Sequence, residues 1–445
     1  MVERIRDFSR MLERGSSERT VETRNGLALL VDSFPDVYDH NYVRIEAPTV
    51  GAAALAAEAD EALEARHHRR VVVTDGPPGL TGEFEQLGYS LSTHLVLEHR
   101  RDPDRRVDTT AIREVSFDAI APARETATMR EPWGDEDIAR QLAGASRLVA
   151  SAVPTRYFAP VVDGSAAGWC ELYARAGVAQ IENVEVLEEF RGRGLGRAIV
   201  QHALDEARRH ADIVFLQALA DDWPRELYAK LGFDLVDRVD VYSRLPSAAT
   251  RLRLRTPRLE LRIPTVAELR ALYRVAEQGI HDPAVMPFEI PWTDSLNEPD
   301  FLAYHLDRSQ TRLELAAFLD GEPIGVQGLN VQLPEVQTGS WLGRPFQGRG
   351  LGTEMRAAVL TFAFDRLGAE IARSGALSEN PQSIGVSRKL GYEVTGTRTF
   401  APRGEPLEHT DLAVTRDRFS SPVQVEISGA DQLVRLLVDA PRSVA

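Results

Sequence analysis

Arg191-Gly192-Arg193-Gly194-Leu195-Gly196-Arg197 decides the fold, and it returns downstream as Gln347-Gly348-Arg349-Gly350-Leu351-Gly352. An apolar run enters each copy (Ile181 to Leu187, Ser340 to Leu342), and an amphipathic run leaves it (Arg197 to Arg209, Thr353 to Leu367). That order predicts a strand turning on glycines into a helix. The first N–H groups of such a helix have no intrahelical acceptor, and with the positive end of the helix dipole they form a cradle for a phosphate. Glycine lets the anion lie against the backbone, where a Cβ would stand in its way.

Three phosphate-binding loops compete for this pattern. A Walker loop ends in Gly-Lys-Ser/Thr, which neither copy has. A Rossmann loop reads G-x-G-x-x-G with an acidic residue about 20 positions on, whereas the order here is R/Q-x-x-G-x-G. A Leu-Gly-aromatic triplet follows instead: Leu231-Gly232-Phe233, 38 positions beyond Gly194, and Leu390-Gly391-Tyr392, 41 beyond Gly350.

This doubled pairing resembles the GCN5-related N-acetyltransferase (GNAT) family, whose motif A is Q/R-x-x-G-x-G/A at a helix start and whose later segment carries Gly-Phe/Tyr. The resemblance implies an α/β fold built on a mixed sheet, in tandem, with acetyl-coenzyme A as the cofactor. It covers about residues 106–247 and again 250–440, and the corresponding domains are placed at 105–247 and 250–440. Residues 1–104 repeat the later half of such a unit, closing on a third triplet, Leu87-Gly88-Tyr89. Pro48-Thr49-Val50-Gly51-Ala52 stands where the glycine loop belongs. They read as a degenerate half-copy that pairs with its neighbour; the alternative is an unrelated α/β extension.

The composition is that of an ordinary globular chain of two or three domains: 445 residues, 27% charged and 43% hydrophobic. A net charge of −15 argues against a nucleic-acid surface. It leaves room for a local basic patch, expected from Arg191, Arg193 and Arg197 at the first loop and Arg349 and Arg356 at the second. The lone Cys170 excludes a disulfide framework. No apolar run reaches the length of a membrane span, and the N-terminus lacks a signal-peptide core, so a cytoplasmic location is expected. No metal is expected. Oligomeric state is unreadable from the pattern.

Amide formation from a thioester requires an amine that has shed a proton. At neutral pH only on the order of one alkylamine in a thousand has done so. The resemblance assigns this task to Glu182, nine residues before Arg191 in Ile181-Glu182-Asn183-Val184-Glu185-Val186, with Glu185 as the competing carboxylate. Residues 182 and 185 have opposite parity and face opposite sides of a regular strand unless it bulges. Tyr228, four residues before Gly232, corresponds to the family's general acid, and a phenol stays protonated at neutral pH. The cofactor contacts implied are Val184, Glu185, Val186 and residues 191–197 in the first copy. In the second they are Gln347, Gly348, Arg349, Gly350, Leu351, Gly352, Asn380 and Ser383. Where the family has an Asn seven residues before the tyrosine, this chain has Asp221, which accepts but does not donate when ionised. Cys170 lies mid-strand and reads as a packed thiol.

The second copy resembles the RimJ/RimL branch, which acetylates protein N-termini, through Thr256-Pro257-Arg258-Leu259, the loop at 347–352 and Asn380-Pro381-Gln382-Ser383. Ser387 stands at the position of Tyr228, and Thr338 at that of Glu182. The segment from Ile280 to Trp292 is expected to build its acceptor pocket, with His281 as a possible base. The function expected is acetyl transfer to a primary amine, either a small molecule or a protein N-terminus, by direct attack. The alternative is an acyl-coenzyme A sensor or scaffold with silent copies.

Overall fold

The structure, a computed structural model, describes residues 1–131, 133–306, 312–378 and 380–438. It divides into two compact units, Met1–Leu245 and Pro246–Ala445. Residues 1–104 and 105–245 thus share one body. The helix expected over 300–308 runs Glu298–Leu306, and its last two positions lie outside the described residues.

The first unit runs α1 (Val2–Gly15), β1 (Arg19–Glu22), β2 (Gly26–Leu30), β3 (Tyr42–Glu46), α2 (Ala52–Ala62), β4 (Arg69–Thr74), α3 (Leu80–Gln86) and β5 (Ser90–His99). It continues with β6 (Ile112–Val115), α4 (Phe117–Arg130), α5 (Glu136–Ala152), β7 (Thr155–Val162), the short β8 (Ser165–Ala166), β9 (Gly168–Arg175) and β10 (Val178–Val186). After the glycine loop come α6 (Leu195–Ala207), β11 (Ile213–Leu219), α7 (Pro224–Lys230) and β12 (Phe233–Arg244). Asp163 and Gly164 both take positive φ between β7 and β8, the conformation that a two-residue hairpin turn requires. β1 escaped the sequence reading because every residue of Arg19–Glu22 is exposed.

The sheet order is β1-β2-β3-β4-β12-β5-β11-β10-β9-β7-β6. The parallel pairs are β3 with β4 and β10 with β11, among antiparallel neighbours. The last strands of the two halves change places. β5, from the N-terminal half, pairs with β11 of the complete copy. β12, from the complete copy, pairs with β4 of the N-terminal half. β5 and β12 also pair with each other, from Phe233↔His99 to Ser243↔Ser90. The hydrophobic cores follow this exchange: Leu97 of β5 packs with Ile199, Leu216 and Phe233, and Tyr242 of β12 packs with Phe84 and Val71.

The second unit runs β13 (Arg253–Arg255), β14 (Leu259–Arg262), α8 (Val266–Glu277), α9 (Glu298–Leu306), β15 (Arg312–Leu319), β16 (Glu322–Gln332) and β17 (Glu335–Leu342). Then follow α10 (Leu351–Asp365), β18 (Ile371–Leu377), α11 (Pro381–Lys389), β19 (Glu393–Phe400), β20 (Leu407–Thr415), β21 (Glu426–Ser428) and α12 (Asp431–Val438). Its order is β19-β20-β18-β17-β16-β15-β14-β13-β21. Here β20 folds back to sit between β18 and β19, the place that β5 takes between β11 and β12. The second unit supplies its own closing strand, whereas the first borrows one from residues 1–104.

Exchanged strands tie the stability of the two halves of the first unit together. Leu97→Ala, at a site 5% exposed, should cost about 2–5 kcal/mol. Amide hydrogen exchange should then show β4 and β11 losing protection together. Loss confined to one half would contradict the coupling.

Candidate active site

β10 and β11 pair in parallel from Val178↔Ile213 to Ile181↔Leu216 and part beyond that point. β17 and β18 do the same after Gln337↔Arg373. Each pair opens a wedge toward its glycine loop. Gly194 and Gly350 cap their helices at φ 77° and 81°, backbone that a residue with a Cβ adopts at a cost. A Cβ on Gly194 would meet nothing within 4 Å, so the space in front of the loop is open. Positive φ is what demands the glycine within the protein itself.

Among the described residues the N–H groups of 192–197 have no hydrogen-bond partner, since Arg191 N–H goes to Glu188 O and the helical ladder begins with Ala198 N–H to Gly194 O. In the second unit those of residues 348–353 are equally free, between Gln347 N–H to Arg344 O and Glu354 N–H to Gly350 O. These are two runs of aligned donors at the positive ends of α6 and α10, which suits an extended anion.

The arginine patch around them is smaller than expected. Arg197 is buried, with Nη2 on Asp104 Oδ1 at 2.5 Å and Nη1 on the Arg105 carbonyl, so only its backbone N–H faces the cradle. Arg356 is buried too, donating to Ser387 Oγ (2.7 Å) and Ser340 Oγ (3.1 Å). Arg191 and Gln347 brace the turn: Arg191 Nε donates to Val186 O (3.0 Å), and Gln347 Nε2 to Leu342 O (2.8 Å), five residues back in each case. With their own N–H groups also spent, neither presents a free donor from its backbone to the cradle. Arg193 and Arg349 stay exposed. Leu195 and Gly196 open α6, while Leu351 and Gly352 open α10 with the Leu351 side chain in the core.

Thr256 and Arg258 hold the second loop from outside. Thr256 Oγ1 and Arg258 Nε donate to the buried Glu354 carboxylate at 2.6 and 2.7 Å, and Arg258 Nη1 reaches Arg349 O.

β10 bulges between Glu182 and Glu185, with Asn183 at φ 51°. Glu182 lies opposite Glu171 and Glu185 opposite Trp169, so the bulge brings the two carboxylates to the same face. Glu185 is drawn to Arg191 Nη2 at 3.0 Å. Glu182, half-buried, accepts from Gln180 Nε2 at 2.5 Å. Burial pushes its carboxyl up to about 7, against the Gln180 hydrogen bond and helped by the charge of Glu171. Val184 and Val186 continue the strand toward the loop, half-buried.

Tyr228, from α7, packs its ring against Phe233 with centroids 6.3 Å apart. Burial first, then the nearby charges of Glu182, Cys170, Asp222 and Glu185, raises its phenol well above the ordinary value. Tyr228 therefore holds its proton at neutral pH. Cys170 is fully buried in the same core, and burial raises its thiol pKa.

A cavity of 460 Å³ reaches Glu182 from the α1 and α5 side of the sheet, and another of 680 Å³ lies beside Glu185, Trp169 and Trp133. Pattern reading missed Gln180, which positions Glu182. Its signal was the period-two spacing to Glu182 on a strand.

In the second unit Ser387 is fully buried and bonded to Arg356 and to Ser383 O. Thr338 is shared between Tyr392 Oη and Arg373 O. Asn380 Oδ1 caps α11 by accepting from Ser383 N–H at 3.1 Å, so that oxygen is occupied within the helix start. His281 is placed away from the pocket: its two ring nitrogens meet Asp282 O and Thr293 Oγ1, both at 2.8 Å, and it does not line the cavity. That 560 Å³ cavity is walled by Phe288, Trp292, Tyr304 and Trp341 instead, with His305 and Glu314 within it. His305 Nδ1 lies 3.9 Å from Glu314 Oε2. Burial lowers the His305 imidazole to about 4 and raises the Glu314 carboxyl, which Arg312 partly offsets at 3.0 Å. Glu314 alternates with apolar neighbours in Arg312-Leu313-Glu314-Leu315, a strand parity that would have revealed it.

Among the described residues no group of three or more His, Cys, Asp or Glu is arranged to hold a metal ion, and no helix is long and apolar enough to cross a membrane.

Residues 120–233 match the acetyltransferase (GNAT) family model, and residues 258–393 a second one, the acetyltransferase (GNAT) domain. Solved structures align with parts of the chain at low identity. A functionally unknown conserved protein from Staphylococcus epidermidis is 16% identical over 51% of this chain and 93% of its own, at TM-score 0.41. RimL, a ribosomal L7/L12 alpha-N-protein acetyltransferase in complex with coenzyme A, is 19% identical over 36% of this chain and 96% of its own, at 0.32. A putative ribosomal-protein-serine acetyltransferase from Vibrio cholerae is 21% identical over 37% and 97%, at 0.31. With two wedges, two glycine-capped helix starts and two matching models that together take in more than half of the residues, the chain belongs to the GNAT acetyltransferase family as a tandem.

Proposed function

We propose that this chain is an acetyl-coenzyme A-dependent N-acetyltransferase whose first unit transfers the acetyl group directly to a primary amine. The observation that carries the reading is that Glu182 follows the point where β10 and β11 part, that Tyr228 packs in one core with Ile181 and Leu216 of those strands, and that the N–H run of residues 192–197 lies ahead of them. An acyl-coenzyme A fits the residues present. Its diphosphate suits the aligned N–H donors, and the open space before Gly194 is where a Cβ would intrude. When bound, it supplies an activated acyl group.

The chain's own residues then have distinct tasks. The N–H groups of 192–197 bind and orient the anion. Glu182, held by Gln180, accepts a proton from the amine at its free carboxylate oxygen, directly or through one water. Tyr228 Oη keeps a proton ready for the departing sulfur, because burial prevents its ionisation.

A second reading applies to the second unit: it holds the acyl carrier without transferring from it. Ser387 and Thr338, at the acid and base positions, are both engaged in internal hydrogen bonds. The His305 and Glu314 pair in its cavity is the competing source of a base. Small amines and protein N-termini are both acceptors that this architecture suits, in a cytoplasmic setting.

Tyr228→Phe should lower kcat about 10²-fold, with the affinity for coenzyme A unchanged, in an assay of thiol release. An unaltered kcat would remove Tyr228 from the reaction. The Glu182 carboxyl is protonated below its shifted pKa and ionised above it. The rate should therefore rise with pH through about 7 and fall away below, and Glu182→Gln should flatten that limb. A limb that survives the substitution belongs to another group.

A further inference from the structure

The 460 Å³ cavity beside Glu182 is walled by both halves of the first unit. Gln180 and Glu182 of β10 and Gln217 of β11 stand on one side, at the mouth of the wedge. Tyr42 of β3, Arg70 of β4 and His94 of β5 stand on the other, and Ser9 of α1 lies over them. The strand exchange makes this possible, because β12 and β5 carry the sheet without a break from the N-terminal half to the wedge.

The charges in the cavity are nearly all paired. Arg6 meets Asp237 at 2.7 Å, Arg44 meets Glu13 at 2.5 Å and Arg70 meets Asp39 at 2.5 Å. Arg124 is paired with Glu171. Burial keeps His40 and His94 neutral at neutral pH. Among the described residues, Glu182 is the one carboxylate lining this cavity without a cationic partner; its hydrogen bonds come from the Gln180 amide and the Asn183 N–H. At 460 Å³ the cavity has the size of a small-molecule site, enough for a small amine.

We propose that residues 1–104 are the outer wall of the first unit's acceptor site, and that the site takes a small amine whose positive charge is the missing partner of Glu182. This rests on the transferase reading of the first unit. It gives the half-copy, which has no glycine loop, a role in choosing the acceptor.

The test uses the full chain, acetyl-coenzyme A and three probes: spermidine, tyramine and the anionic p-aminobenzoate. Thiol release is followed, and coenzyme A binding is measured by calorimetry in parallel. Turnover lost in Gly194→Trp is assigned to the first unit. Ser9→Trp and His94→Trp fill the cavity from opposite walls, and both residues come from the N-terminal half. The expected result is Gly194-dependent turnover of at least one cationic probe and none of p-aminobenzoate. Each filling variant should lower kcat/KM at least tenfold through KM, with coenzyme A affinity within twofold of the parent. Turnover that both filling variants leave intact overturns the proposal while the transferase reading stands. Coenzyme A binding without Gly194-dependent turnover of either cationic probe overturns the proposed acceptor class. A chain that neither binds coenzyme A nor releases thiol removes the transferase reading itself.

Discussion

Six consecutive backbone N–H groups at a helix start, residues 192–197 and again 348–353, have no hydrogen-bond partner among the described residues. A buried donor left that way costs on the order of 1–3 kcal/mol, so such runs stand open to water or to an anion. The fold is arranged to keep them open and aligned. Gly194 and Gly350 turn the chain at positive φ, Arg191 and Gln347 pull the turn back onto its strand, and Glu354 with Arg258 clamps the second loop from behind. The parting of each parallel pair leaves a path from that loop into the sheet. A cradle built of backbone donors does not depend on the overall charge of −15, and two of the arginines nearby, Arg197 and Arg356, serve the interior.

The two units solve the same closure problem differently. A sheet that ends on its wedge strand leaves an edge unpaired. The second unit turns β20 back to cover that edge. In the first, two strands from two halves cover each other's edges, and neither half has a complete sheet without the other. Residues 1–104 carry no glycine loop of the 191–197 kind, and they supply the strand that pairs with β11. The exchange also brings His94 of β5 into the cavity that Gln180 and Glu182 line.

Much of this was legible in the sequence. The glycine loops, the turns at Asp163-Gly164 and Asp320-Gly321 and the repeated triplet are local signals, because backbone conformation demands particular residues there. Gly232 is an example: at φ 91° a Cβ would press on the Arg101 carbonyl. Glu182 was legible by its offset, but its relation to Glu185 was not, because that depends on a bulge centred on Asn183. The arginines misled because a charge count does not say which side chain turns inward: Arg197 and Arg356 found partners in Asp104, Ser340 and Ser387, distant in sequence. His281 is a possible base by residue type and bonds to Thr293 Oγ1, while Glu314 and His305 come together through packing that spacing does not encode. The strand exchange was beyond the pattern altogether, since β5 and β12 look alike whichever neighbour they choose.

The central claim is that both glycine-capped helix starts hold the diphosphate of an acyl carrier. Calorimetric titration of the purified chain with coenzyme A tests it directly through the number of sites. The account predicts two per chain, with Gly194→Trp and Gly350→Trp each removing one and the double variant silent. Titration that yields no heat, or a stoichiometry indifferent to both substitutions, would contradict it.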